Sequence, residues 1–256
     1  MTSNPKSQTP HPNAVHHVPS GFGVWGLGFV MMALLVLPRH GVDAAARGVT
    51  LRTSDGRTVA GLMFEAGARP APAVVLVPML GRTKDDWQTV AQRFADANIT
   101  ALAIDLPSTS SADPAELAGW PPVVDAAVAY LAVRPEEVNP AAIGVAGASL
   151  GANLAAVAAA TNPAVRSLAL VSPSLDYRGV RIEPSLAQYG ARPALLMASL
   201  HDPYAARSVR TLAQDAPGPR QMRWSTTPAH GTVLLSRDPD LVRSLIEWFQ
   251  LTLTVS

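Results

Sequence analysis

From residue 49 onward the apolar positions fall into short unbroken runs separated by stretches with helical spacing. "AVVLV" (73–77), "TALAI" (100–104), "AIGVA" (142–146), "SLALV" (167–171) and "ALLMAS" (194–199) show no polar alternation. A strand with one face in water alternates, whereas a strand covered on both faces does not. These runs therefore predict a mainly parallel sheet under helices on both sides. Ahead of them, "VTLRT" and "TVAGLMF" flank Ser54-Asp55-Gly56-Arg57. An Asp-Gly pair between two strand-like runs predicts an antiparallel hairpin. "RQMRWST" (220–226) adds a last strand and brings the total to eight.

The intervening stretches carry the 3.6-residue period. "DDWQTVAQRFADA" places Trp87, Val90, Ala91 and Phe94 on one face, and "PVVDAAVAYLAV" does the same with Val124, Ala127, Val128 and Leu131 behind a starting proline. After Ser149, Leu150, Leu154 and Val157 recur at helical spacing among alanines small enough to let a helix approach the sheet closely. "YAARSVRTLAQ" and "DLVRSLIEWFQ", the latter with Leu241, Leu245 and Trp248 on one stripe, complete the series. Strand and helix alternate throughout, which predicts an α/β fold over residues 48–256 with no second-domain boundary; "ARPAP" and "APGPR" read as ordinary connections.

Residues 1–47 differ from the body. A tail rich in Pro, Asn, Ser, Thr and His precedes "GFGVWGLGFVMMALLVL" (21–37), which carries no charge. Followed by Pro38 and "RHGVDAAARG", this run suits either an export signal cut near residues 43–46 or a single uncleaved membrane anchor. Either reading places the body outside the cytoplasm (periplasmic or extracellular) or at the membrane. Lys6 is the one firm positive charge ahead of the run, so the sequence does not fix an orientation.

Composition removes several classes of function. With 256 residues the chain has room for one α/β domain and a short extension. The net charge is +1 and the basic residues are scattered, without the stripe or aromatic interleaving of a nucleic-acid surface. Cysteine is absent, which excludes disulfides, thiolate metal ligands and a cysteine nucleophile. Any covalent nucleophile must be another residue.

One stretch offers it. "GVAGASLGANLAAVAAA" (144–160) passes from a buried strand into a buried helix through Gly147-Ala148-Ser149-Leu150-Gly151. A Gly-x-Ser-x-Gly bend at such a junction exposes a serine hydroxyl at the carboxyl end of the sheet, where reactive groups gather. A serine hydroxyl needs a base. Of six histidines, His11, His16, His17 and His40 lie in the leader or at its edge, without acidic or cysteine partners that would make a metal site. His201 and His230 remain, and His230 is preferred because "TTPAHGTVLL" follows the last strand. The base needs a carboxylate to orient it. Asp202, directly after "ALLMAS", is preferred over Asp176 in "SPSLDYRG", while Asp105 reads as a loop or capping residue. An acyl transfer also needs N–H donors for the developing oxyanion. Leu150 at the helix start is one candidate, and Leu80 or Met79 in "VPMLGRTKDDW" the other.

Together "GASLG", "HDPY" and the "HG" at His230 resemble the α/β-hydrolase superfamily over residues 49 to 252, and within it the small hydrolases related to dienelactone hydrolases and to simple carboxylesterases. The resemblance implies an eight-stranded α/β-hydrolase fold and a Ser149–Asp202–His230 triad in the chain order Ser, Asp, His. It also implies oxyanion donors at Leu80 and Leu150, and a reaction on carboxylic esters through an acyl-enzyme without metal or cofactor. Two features depart from the pattern. Dienelactone hydrolases proper use a cysteine nucleophile, and many relatives carry His-Gly where this chain has Pro78-Met79. The interval between the strands ending at 171 and starting at 194 is too short for a large lid. An open cleft for small or extended esters follows, with Met79, Trp120 and Tyr204 as candidate walls. Peptide or amide hydrolysis, acyl transfer, and a non-catalytic binding protein on the same fold are the alternative readings.

Overall fold

The computed structural model describes residues 46–108, 110, 113–214 and 217–254. The apolar run 21–37, and with it the choice between signal and anchor, lies outside the described residues. Among the described residues no helix is long and apolar enough to cross a membrane.

Eight strands form one sheet: β1 (Arg47–Arg52), β2 (Thr58–Phe64), β3 (Ala71–Val77), β4 (Thr100–Ile104), β5 (Val138–Ala148), β6 (Val165–Val171), β9 (Ala194–Ser199) and β10 (Arg220–Ser225). Two further short strands, β7 (Asp176–Tyr177) and β8 (Val180–Arg181), make a separate hairpin that the apolar pattern does not predict. The sheet order is β1-β2-β4-β3-β5-β6-β9-β10. Strand β2 runs antiparallel to both its neighbours, and every other pairing is parallel.

The unbroken apolar runs have a direct explanation in the core. Val75 and Val77 of β3, Leu168 and Leu170 of β6, and Leu196 and Ala198 of β9 belong to one hydrophobic cluster. The residues between them, Val74 and Leu76, Ala169 and Val171, Leu195 and Met197, belong to a second cluster across the sheet. Both sides of the strand period are thus buried. The first cluster is covered by α2 (Pro114–Ala118), α3 (Pro121–Ala132), α4 (Leu150–Thr161), α5 (Glu183–Tyr189) and α6 (Pro203–Gln214). The second lies under α1 (Gln88–Asp96), α7 (Gly231–Arg237) and α8 (Pro239–Thr252). The predicted helical stripes are the buried ones: Trp87, Val90, Ala91 and Phe94 beside α1, and Leu241, Leu245 and Trp248 on α8.

Strands β3 and β5 are neighbours, yet β3 is followed by α1 on one face and β5 by α4 on the other. Connections that leave adjacent strands toward opposite faces open a crevice at their carboxyl ends. In register, Val77 pairs with Gly147, which sets the loop beginning at Pro78 beside the bend at Ser149.

Candidate active site

The bend is tight because its glycines leave no alternative. A Cβ on Gly147 would stand 2.7 Å from the Ala152 nitrogen, and one on Gly151 would stand 2.5 Å from the Val77 carbonyl oxygen. Between them Ser149 takes φ 52° and ψ −120°, a region that side-chain-bearing residues rarely occupy. Its N–H donates to the Val171 carbonyl at 2.9 Å and its carbonyl accepts the Ala152 N–H at 2.9 Å, so β6 and the first turn of α4 both hold the strained residue. Ser149 is 9 % exposed.

His230 reaches it from the segment between β10 and α7. Its Nε2 lies 2.8 Å from the Ser149 Oγ and its Nδ1 lies 2.5 Å from Asp202 Oδ2. A carboxylate only accepts, so Nδ1 carries the proton toward Asp202 and Nε2 is left to accept from the serine hydroxyl. Asp202 divides its oxygens: Oδ1 accepts the Ala205 N–H at the start of α6, and Oδ2 faces the imidazole. The acid loop is tied to the histidine segment a second time, since the Ser199 hydroxyl donates to the Thr227 carbonyl at 2.6 Å and accepts the His201 N–H at 3.1 Å.

Of the residues singled out in the sequence, the structure brings Ser149, His230 and Asp202 into one hydrogen-bonded row. His201 is exposed. Asp176 is exposed as well, and its side chain accepts the Gly179 N–H in its own hairpin turn at 2.6 Å. Asp105 lies beside the 3₁₀ turn Lys84–Trp87, whose N-cap is Thr83, accepting the Lys84 N–H at 2.8 Å and the Lys84 ammonium at 2.9 Å. That ammonium is held above its usual pKa by the Asp105 carboxylate.

Of the two oxyanion candidates, one directly follows the serine and the other lies in the loop after β3. Leu150 is the first residue of α4, where helical N–H groups have no intrahelical partner. Leu80 heads the turn Met79–Arg82, closed by the Arg82 N–H on the Met79 carbonyl at 3.2 Å and permitted by Gly81 at φ 79°.

The candidate walls fare differently. Trp120 is only 2 % exposed and packs in the cluster with Leu117, Val123 and Leu150, so it is a core residue and not a wall. Its indole is too large and apolar to leave in water where α2 meets α3. Met79 is half-buried with its sulfur 3.4 Å from the Thr232 hydroxyl, turned toward the histidine segment. Tyr204 is exposed beside Asp202, and its hydroxyl is 3.4 Å from the Asp176 carbonyl. Sequence reasoning missed Asn153, Ser172, Thr232 and Asp86. Asn153, one turn beyond Ser149 in a run of alanines, carries the one available signal: a lone amide on an apolar helix needs buried partners.

A surface groove of about 350 Å³ lies elsewhere, between α1 and α8, lined by Arg93, Asp96, Arg243 and Glu247 among others. It holds no nucleophile beside a base. Among the described residues no cluster of His, Asp and Glu is placed to hold a metal ion.

Residues 74–254 match the model of the alpha/beta hydrolase family. The chain belongs to the alpha/beta hydrolase family. No curated protein matches the sequence significantly. Solved structures share this chain's fold at low identity. The dienelactone hydrolase of Anabaena variabilis is 18 % identical with a TM-score of 0.69, over 83 % of this chain and 100 % of that one. A thermostable carboxylesterase from a metagenomic library is 18 % identical with a TM-score of 0.66, over 83 % of this chain and 90 % of that one. A 2,6-dihydroxy-pseudo-oxynicotine hydrolase is 19 % identical with a TM-score of 0.70, over 83 % and 69 %. At such identities the likeness shows the fold alone.

Proposed function

We propose that the protein is a serine hydrolase that cleaves carboxylic esters. One observation carries the reading: the Ser149 hydroxyl, at the tip of a strained strand-to-helix bend, lies in hydrogen-bond reach of an imidazole whose other nitrogen meets a carboxylate. His230 takes the hydroxyl proton as Ser149 Oγ attacks the ester carbonyl. The Leu150 and Leu80 amides receive the negative charge that develops on the carbonyl oxygen. His230 then returns the proton to the leaving alcohol, and an acyl-serine remains. Water, deprotonated by the same imidazole, attacks the acyl group, and the proton goes back to Ser149 as the acid departs. Asp202 holds the imidazole through its Oδ2 and stabilises the imidazolium.

The substrate class follows from access. The His230 side chain is 42 % exposed, so the row opens to solvent and suits small or extended esters that need not fit under a lid. Several hydrolases of similar fold are described as esterases or as acting on lactones, which agrees with this reading. The uncharged run 21–37 supports export or membrane anchoring of the catalytic body.

The test is hydrolysis of p-nitrophenyl esters of graded acyl length by the purified protein, beside Ser149→Ala and His230→Ala. Turnover that disappears in both variants supports the assignment. Matched anilides cleaved as fast as the esters would turn it toward amide chemistry. A folded protein that neither turns over esters nor reacts with a fluorophosphonate probe would overturn it.

A further inference from the structure

We infer that Thr232, Asp86 and Ser172 are positioning residues that aim the His230 ring at Ser149; this rests on the triad reading above. The ring has partners at both nitrogens, but its backbone is the last extended residue before α7 and takes its direction from the two residues that follow.

Those two residues are held from opposite sides. The Gly231 N–H donates to Ser172 Oγ at 3.0 Å. Ser172 is fully buried at the end of β6 with a positive φ of 50°, and its own N–H donates to the Met197 carbonyl of β9 at 2.7 Å. Its backbone, at the end of β6, is thereby tied to β9, at the cost of backbone strain, and its hydroxyl is left to accept from Gly231. On the other side, the Thr232 hydroxyl lies 2.9 Å from Asp86 Oδ2 and 3.4 Å from the Met79 sulfur. It has one proton, and a carboxylate is the stronger acceptor, so Thr232 donates to Asp86. Thr232 is 4 % exposed. Asp86 sits in the 3₁₀ turn that follows the Leu80 turn, with Arg82 Nε at 3.4 Å from the same oxygen.

The Thr232–Asp86 bond thus joins the histidine segment to the loop that carries an oxyanion candidate. Gly231 makes the junction possible: it has φ 58°, and a Cβ there would stand 2.6 Å from the Met79 sulfur. Helix α7 is anchored independently by Leu234 and Leu235 in the core. Losing the Thr232 bond should leave the helix docked and release only its first turn, which sets where the imidazole points.

The experiment compares Thr232→Val, Asp86→Ala, their double variant and the conservative Thr232→Ser with the full chain. It reads kcat and KM on a p-nitrophenyl ester, the rate of fluorophosphonate labelling and the thermal midpoint. We expect Thr232→Val and Asp86→Ala each to lower kcat by about tenfold or more, with labelling slowed in parallel, because small misplacements of a reacting group are costly. KM should stay within about twofold. The double variant should be no worse than either single one, since one bond is lost in all three. Thr232→Ser should restore kcat, and Ser172→Ala should repeat the kcat loss from the other side. Folded single variants with kcat near wild type, a loss confined to KM, or a Thr232→Ser defect as large as that of Thr232→Val would overturn the inference. If wild type is active and Ser149→Ala inactive while Thr232→Val is unaffected, only the positioning role fails. If Ser149→Ala is labelled and active like wild type, the triad reading fails and this inference with it.

Discussion

Gly147 and Gly151 press against each other across the bend that holds Ser149, so closely that a Cβ on Gly147 would collide with the Gly151 carbonyl group. The second glycine is crowded in turn by the carbonyls of Val77 and Pro78 at the end of β3. The obstacles are backbone atoms of helix α4 and of the end of β3, which cannot rotate away. Alanine at either position should destabilise the protein by about 3 kcal/mol or more, the upper range for overpacking. Urea unfolding is the measurement, and an alanine variant at either site with an unchanged midpoint would contradict the packing described.

The strained backbone of Ser149 predicts a separation of stability from activity. Its φ of 52° costs a serine or alanine more than a glycine. Ser149→Gly should therefore be more stable than Ser149→Ala by about 1 kcal/mol, the strain relief partly offset by glycine's greater chain entropy. Both should lose at least about 10⁴-fold in ester turnover. Paired denaturation curves and rate assays check this, and a glycine variant less stable than the alanine one would remove the claim of strain.

Asn153 is fully buried and uses its amide completely. Its Nδ2 donates to the carbonyls of Ser174 at 3.0 Å and Val180 at 2.8 Å, and its Oδ1 accepts the Ser174 N–H at 3.1 Å. It thereby pins the segment carrying β7 and β8 to α4. Asn153→Leu keeps the volume but orphans three buried backbone groups, and should cost about 3 kcal/mol. Hydrogen exchange should show the loss concentrated in residues 172–182; uniform loosening would instead point to a general core effect.

Asp125 on α3 predicts a pH dependence. Burial raises its pKa above the usual carboxylate range, and the Asn162 amide, 2.8 Å from its Oδ1, offsets only part of that. The folded state then binds the proton more tightly than the unfolded state, so this group's contribution to stability falls as pH rises from the ordinary carboxylate pKa through the raised folded one. Asp125→Asn keeps the acceptor for Asn162 without the charge. It should be more stable than wild type at neutral pH, with the advantage shrinking as the pH drops below the carboxylate range. An advantage that persists in acid would assign the effect to packing.

Much of this architecture was legible because burial on both faces writes itself into composition. Five strands of the main sheet follow from unbroken apolar runs, β1 and β2 from the Asp-Gly pair between two strand-like stretches, β10 from its place before the last helix, and the five longer helices from 3.6-residue stripes. The short pieces were not legible: α2, α5 and α7 span five to seven residues, less than two full turns or barely that, and leave no period to read. The two-residue strands β7 and β8 leave none either.

At the site, the sequence by itself supplied the residue types and their order: a serine between glycines after a buried run, one histidine after the last strand, and an aspartate in between. Those are local properties of the chain, set by what a tight bend tolerates and by where loops follow strands. Only the tertiary structure chose between Asp202 and Asp176, because that choice depends on which loop the β6–β9 pairing brings beside His230. Only the tertiary structure turned Trp120 into core, and only it joined Asp86 to Thr232, which stand 146 positions apart in the chain. A hydrogen bond across that separation arises from the packing of α7 against the β3 loop, and no window of sequence contains both of its ends.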